Sequence, residues 1–276
     1  MKFRVIIYIA LLIPTSTFAQ MKVKSVGIAK PIEFAFGFQN QKGAFVWYKG
    51  KKEPIPLKFK SLDIDSNDRK NGQPDFYYYK YTEMYNGKAT GEYGITEWPR
   101  NVGDIYYLRY KDGKKFKFEL VEDEGMYDGK SMALLHGTQI HYQSFNGNNL
   151  RFVYPDQHQE KLILNKLAKD KVRHLEINDY NFDGLDDIAF GMDSYNGQKV
   201  VFDIHEIFIY NVNKKCFEKL LIPTSGTLNY FSDLKIDTNR KELTTKSKVG
   251  NSWKSYTYKF DKTGKLLLIK NDKKIN

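Results

Sequence analysis

Six glycine-bearing turn pairs punctuate this chain: Lys49-Gly50, Asn86-Gly87, Asp112-Gly113, Asn146-Gly147, Asn196-Gly197 and Thr263-Gly264. Such pairs reverse the backbone within two residues, because Asn, Asp and Gly tolerate the positive φ that a tight hairpin needs. Between them lie short stretches rich in Val, Ile, Phe and Tyr. Phe45-Val46-Trp47-Tyr48 precedes Ile55-Pro56-Leu57-Lys58-Phe59, and Tyr256-Thr257-Tyr258-Lys259-Phe260 precedes Leu266-Leu267-Leu268-Ile269. This spacing predicts an all-β chain of antiparallel hairpins. The nearest helical pattern, from Gln159 to Lys171, has Leu164 and Leu167 at loose helical spacing but reads equally as a strand.

The amino terminus has the pattern of a secretory signal peptide over residues 1–19. Lys2 and Arg4 precede an apolar run from Val5 to Pro14, and Thr17 and Ala19 occupy the small-residue positions of a cleavage site. That run is too short to cross a hydrocarbon core of ~30 Å, and no later segment is apolar enough to do so. The only cysteine is Cys216, so neither an internal disulfide nor a lipid-bearing cysteine near the cleavage point is expected. The expectation is a soluble periplasmic or secreted protein that is not a lipoprotein. Two β domains, sandwiches or curled barrels, suit the remaining length. An acidic, glycine-bearing stretch from Glu122 to Asp128 separates residues 20–127 from residues 128–276.

Cleavage lowers the net charge only from +11 to +9, because residues 1–19 carry Lys2 and Arg4 and no acid. Export argues against nucleic acid as the partner of this basic chain. Anionic envelope polymers and acidic proteins fit, and so does plain protection of strand edges by lysine. Pairs such as Lys51-Lys52, Lys114-Lys115 and Lys214-Lys215 are spread along the sequence rather than gathered in one arm.

The most specific motif is Asp179-Tyr-Asn-Phe-Asp-Gly-Leu-Asp-Asp187. Calcium takes six to eight oxygen ligands, and a D-x-N-x-D-G segment wraps the ion with side chains from positions 1, 3 and 5. Those positions are Asp179, Asn181 and Asp183. Gly184 makes the sharp turn, Leu185 offers a backbone carbonyl, and Asp187 at the ninth position binds directly or through water. The twelfth position, a bidentate Glu in helix-loop-helix sites, is Phe190. Leu175 and Ile177 before the loop, and Ile188, Phe190 and Met192 after it, alternate with period two, so the loop joins strands. Without the twelfth ligand, affinity of order 10⁻⁴ to 10⁻³ M is expected. The alternative is an Asp- and Asn-rich turn without an ion. Asp63, Asp65, Asn67 and Asp68 form a second acidic cluster, but it lacks the glycine.

Enzyme signatures fail. His205-Glu206 begins an H-E-x-x-H motif whose second histidine position is Ile209. Nucleophile-elbow, phosphate-loop and dinucleotide motifs are missing. Cys216 has a strand-like context that suits an inert thiol. The five histidines show no spacing that argues for a shared site. Tyr77, Tyr78, Tyr79 and Tyr81 read as an aromatic binding face or as a strand buried on both sides.

The stretch from Ile140 to Asp272, with its single calcium motif, Asn196-Gly197 turn and strand Ile204–Tyr210 leading to Phe217, resembles a family of exported calcium-binding β proteins. That family is related to periplasmic inhibitors of invertebrate-type lysozyme and includes immunity proteins against secreted peptidoglycan hydrolases. The resemblance covers about half the mature chain. It implies a calcium-stabilised, non-enzymatic inhibitor that places a Ser-Gly-(x)-x-Tyr loop in the cleft of a lysozyme-like hydrolase. Here Ser225, Gly226 and Tyr230 match with one residue too many before the tyrosine. Ser194 and Tyr195, in a second loop at 193–197, are the other candidates for partner contact. Many lysozymes are basic, so an acidic hydrolase suits this chain better. An alternative is a calcium-stabilised protein that binds an envelope glycan or surface through aromatic faces carrying Trp47, Trp98 or Trp253.

Overall fold

A computed structural model describes residues 21–65, 75–98, 100–121, 127–166, 171–195, 200–223, 231–249 and 252–274. Among them the chain forms only β-strands, all paired antiparallel. The first eight are β1 (Lys22–Ser25), β2 (Glu33–Gly37), β3 (Phe45–Tyr48), β4 (Ile55–Asp65), β5 (Phe76–Tyr85), β6 (Lys88–Trp98), β7 (Asn101–Arg109) and β8 (Lys115–Leu120). They run as a meander that closes into a barrel when β1 pairs with β8, Val23 opposite Leu120. Closure removes both free sheet edges. Asn86 and Gly87 take φ of 49° and 74°, the double positive φ that the β5–β6 hairpin needs.

The barrel interior is aromatic. Phe34, Phe36, Phe38, Tyr79, Tyr81 and Tyr93 fill it together with Val46, Ile95 and Ile105. On β5, Tyr79 and Tyr81 point inward and Tyr78 points to solvent, so the tyrosine run is buried on one face rather than two. Glu83 is buried among hydroxyl donors, accepting from Tyr107 at 2.7 Å, Thr90 at 2.7 Å and Tyr93 at 3.2 Å. A buried carboxylate is tolerated only when donors surround it in this way.

The other strands form three further sheets. The first contains β9 (Lys130–Leu135), β10 (Thr138–Gln143), β11 (Asn149–Val153) and β12 (Gln159–Ile163). The second contains β13 (Arg173–Asn178), β14 (Asp187–Tyr195), β15 (Val200–Asn211) and β16 (Cys216–Lys219), with the short β17 (Phe231–Ser232) added beside β15. The third contains β18 (Lys235–Asp237), β19 (Glu242–Val249), β20 (Ser252–Phe260) and β21 (Leu266–Lys274). The ambiguous stretch from Gln159 is therefore a strand at its start; residues 167–170 lie outside the described residues, as do residues 1–20, where the signal-peptide pattern falls, and residues 122–126.

The middle sheet is covered on both faces. Ile188, Phe190 and Phe208 pack with Ile140, Leu150 and Phe152 of the β9–β12 sheet. Ala189 and Ile207 pack the opposite way, with Leu243, Tyr258 and Leu266 of the β18–β21 sheet. Three layers result, and the unbroken apolar run Ile188-Ala189-Phe190 is what a strand with two buried faces requires. Arg173, 1% exposed, holds the middle sheet to its neighbour. It donates to the carbonyls of Gln143 (3.0 Å), Gly147 (3.0 Å) and Asn165 (2.5 Å) and to Oδ1 of Asn148 (3.3 Å).

Barrel and layers meet along one seam. Gln39 exchanges backbone hydrogen bonds with the Tyr81 hydroxyl and reaches across to the Met132 carbonyl at 3.2 Å and the Tyr142 hydroxyl at 3.1 Å. The Leu134 N–H donates to the Gly43 carbonyl at 2.9 Å, and Ala35, Phe45 and Met132 share an apolar contact. Tyr127 and Phe145 pack into the barrel core, so the two halves are interlocked near the sequence boundary.

His141 of β10 lies opposite Arg151, 5% exposed, and among the described residues neither ring nitrogen has a hydrogen-bond partner. Burial, aided by the Arg151 charge, lowers its pKa from 6.5 to about 3. A base whose folded pKa is depressed contributes fully above its unfolded value and loses that contribution as pH falls toward the folded one. Unfolding free energy should therefore fall between pH 6.5 and about 3 through this residue, by at most roughly 1.4 kcal/mol per pH unit. Urea unfolding at a series of pH values should show a flatter acid limb in His141→Leu. Equal slopes in the two proteins would refute this assignment.

Candidate functional site

β13 and β14 pair in register from Arg173 opposite Met192 to Asn178 opposite Asp187, so residues 179–186 connect two strands, as the sequence pattern predicts. The connection is wound by its own side chains. Asp179 accepts from the N–H of Asp183 at 3.1 Å and from that of Gly184 at 2.8 Å, one on each carboxylate oxygen. Asn181 Oδ1 accepts from the Asp183 N–H at 3.0 Å, while its amide donates to Asp183 Oδ2 at 2.8 Å. Asp183 Oδ1 accepts from the Leu185 N–H at 2.8 Å. The loop thus gathers the three side chains of positions 1, 3 and 5.

Gly184 has φ of 90°, the conformation for which the motif needs glycine. Phe182 is also left-handed, at φ of 63°, which costs a non-glycine residue about 1–2 kcal/mol. Its ring meets Phe260 edge-on at 6.5 Å, a contact that ties the strained residue to the third sheet.

Asp187 behaves differently from the other acids. It is fully buried; Oδ2 accepts from the N–H of Tyr180 at 2.9 Å and of Asn181 at 3.3 Å, and Oδ1 from that of Tyr210 at 2.8 Å. Burial raises its pKa to about 7, against the three backbone donors that lower it, and the Asp183 charge adds to the rise. The sequence placed it at the ninth ligand position; the structure gives it in addition the backbone of the loop and of β15. Next to it, Asp186 pairs with Lys42 of the barrel at 2.5 Å, and its carbonyl contacts His136 Nε2 at 2.6 Å.

Residues 224–230, with Ser225, Gly226 and Tyr230, lie outside the described residues. Ser194 and Tyr195 are not on a loop: they end β14, with a register shift between them. The thiol of Cys216 is partly buried at the start of β16, its pKa raised by that burial. His205 and Glu206 are successive residues of a strand and face opposite ways, Glu206 pairing with Lys219 at 2.6 Å. In the second acidic cluster Asp63 pairs with Lys80 at 3.3 Å, while Asn67 and Asp68 are outside the described residues.

One grouping escapes the sequence pattern. His174, Gly191 and His205 stand side by side on β13, β14 and β15, and Glu176 lies two residues along β13 on the same face. Glu176 Oε1 is 3.0 Å from His174 Nε2 and 3.1 Å from His205 Nε2, and Glu176 Oε2 accepts from the Tyr180 hydroxyl at 3.2 Å. Burial alone would raise the Glu176 pKa; the two imidazoles outweigh it and hold the carboxyl well below the usual range. The available signal was His-x-Glu on one face of a strand. No protein-family model matches the chain, and no curated protein matches it.

Proposed function

We propose that this chain is an exported, non-enzymatic calcium-binding protein whose layered C-terminal half binds a peptidoglycan hydrolase. The calcium assignment rests on the 179–187 loop, where Asp179, Asn181 and Asp183 converge while their backbone hydrogen bonds leave lone pairs free for an ion. Three side chains, the Leu185 carbonyl and Asp187 make an all-oxygen set, which suits a hard cation. The partner class rests on the resemblance over Ile140 to Asp272, with Ser225, Gly226, Tyr230, Ser194 and Tyr195 as the candidate contacts. An ordered loop loses less entropy when a partner docks beside it, which is the role given to calcium.

Two measurements test the two halves of this reading. Millimolar calcium should raise the melting temperature of the wild type but not of Asp183→Ala; equal melting in calcium and in chelator removes the ion. Lysis of peptidoglycan by chicken-, goose- and invertebrate-type lysozymes and by acidic hydrolases should then slow in the presence of the chain. No inhibition across such a panel favours the second reading, an envelope glycan as ligand.

A specific feature supports that second reading. Trp47, half-buried, lines a cavity of about 270 Å³ on the barrel with Tyr48, Lys22, Lys49 and Glu33. An aromatic wall beside a few polar groups is the common make-up of a small-ligand site. Trp98 and Trp253 are likewise half-buried.

A further inference from the structure

We propose that His174, Glu176 and His205 form a second metal site, for zinc, with three protein ligands and a fourth position open to solvent. The site is separate from the calcium loop in its donors and in its chemistry. Two imidazole nitrogens and a carboxylate oxygen suit a borderline-soft transition ion, whereas the all-oxygen loop suits calcium.

The geometry carries the proposal. The three donor atoms lie within 4.8 Å of one another, and both imidazoles direct Nε2 at the same carboxylate oxygen, at 3.0 and 3.1 Å. Zinc bonds of about 2.0–2.2 Å in a tetrahedral set place neighbouring donors about 3.4 Å apart, so small adjustments suffice. His205 is 6% exposed and held by the sheet, which gives one ligand a fixed position. His174 and Glu176 are partly open to solvent, which leaves room for a bound water.

Two features of the surroundings serve such a site. Tyr180, fully buried, donates its hydroxyl to the outer oxygen of Glu176 and so orients the carboxylate, as outer partners of metal ligands do. Gly191 sits between the two histidines in the register, where a Cβ would come within 2.4 Å of His174 Nε2 and 3.1 Å of Glu176 Oε1. A glycine inside a central strand weakens it; here its missing side chain is what lets the three donors meet over β14.

The test is zinc titration of the metal-stripped full chain by calorimetry in excess calcium, which keeps the 179–187 loop occupied. One zinc per chain is expected, with cobalt in its place giving the absorption of a four-coordinate ion. His174→Ala should weaken zinc binding at least tenfold, and so should Glu176→Gln; Tyr180→Phe should weaken it about tenfold through orientation alone. His174 lies at the surface, and the melting of its alanine variant without metal checks that it folds, so that a loss of binding by the folded chain is a loss of the ligand. Zinc binding of equal strength in wild type and His174→Ala would overturn the proposal, as would no zinc binding by the wild type.

Discussion

Asp187→Ala should unfold in chelator at a markedly lower urea concentration than the wild type, with a loss of about 3 kcal/mol or more. The substitution leaves the N–H groups of Tyr180, Asn181 and Tyr210 without their acceptor. Tyr180 and Asp187 are fully buried, so water cannot readily replace the carboxylate. Each stranded buried donor costs about 1–3 kcal/mol, and removal of a costly buried carboxylate offsets some of that. A domain has only about 5–15 kcal/mol in total, so the change is large. Asp187→Asn keeps one acceptor oxygen but sets an amide against a backbone N–H, and should fall between. Asp183→Ala, on an exposed residue, should change little in chelator; on the proposed calcium reading its loss is confined to buffer that contains calcium. Were Asp187→Ala and Asp183→Ala to unfold together in chelator, Asp187 would not be holding the loop.

Arg173→Met should cost a similar amount, about 3 kcal/mol or more, whether or not calcium is present. Its guanidinium satisfies three backbone carbonyls and the Asn148 side chain, drawn from the 143–148 turn and from Asn165. Methionine fills most of the volume and provides no donor, so these acceptors lose their shared partner inside the protein. Arg173→Lys keeps the charge but replaces a planar fork of five donors by a single ammonium, which cannot serve acceptors on both sides. It should be intermediate. A methionine variant within 1 kcal/mol of wild type in urea unfolding would show that the layers hold together without this residue.

Much of the local structure was legible because it depends on neighbours in sequence. The described turn pairs all fall between consecutive strands, and Asn86-Gly87 takes the positive φ values expected of it. The motif at 179–187 joins strands rather than helices, since the alternation of Leu175 and Ile177, then of Ile188 and Phe190, marks one buried face on each side. The tyrosines of β5 were less legible. Period two is visible in Tyr77, Tyr79 and Tyr81, but Tyr78 obscured it, and only the closed barrel shows which face is inside.

The sequence by itself determined the all-β class, the hairpins and the place of the oxygen-rich loop between two strands, because turn chemistry and side-chain alternation act over a few residues. Tertiary structure alone decided the pairing of Val23 with Leu120 that closes the barrel, the three layers around β14 and β15, and the inward turn of Asp187 toward Tyr210. It also decided that His174 meets His205 across Gly191. Strand register sets which residues stand abreast, and register follows from which apolar faces are buried together, a property of the assembled sheets rather than of any one segment.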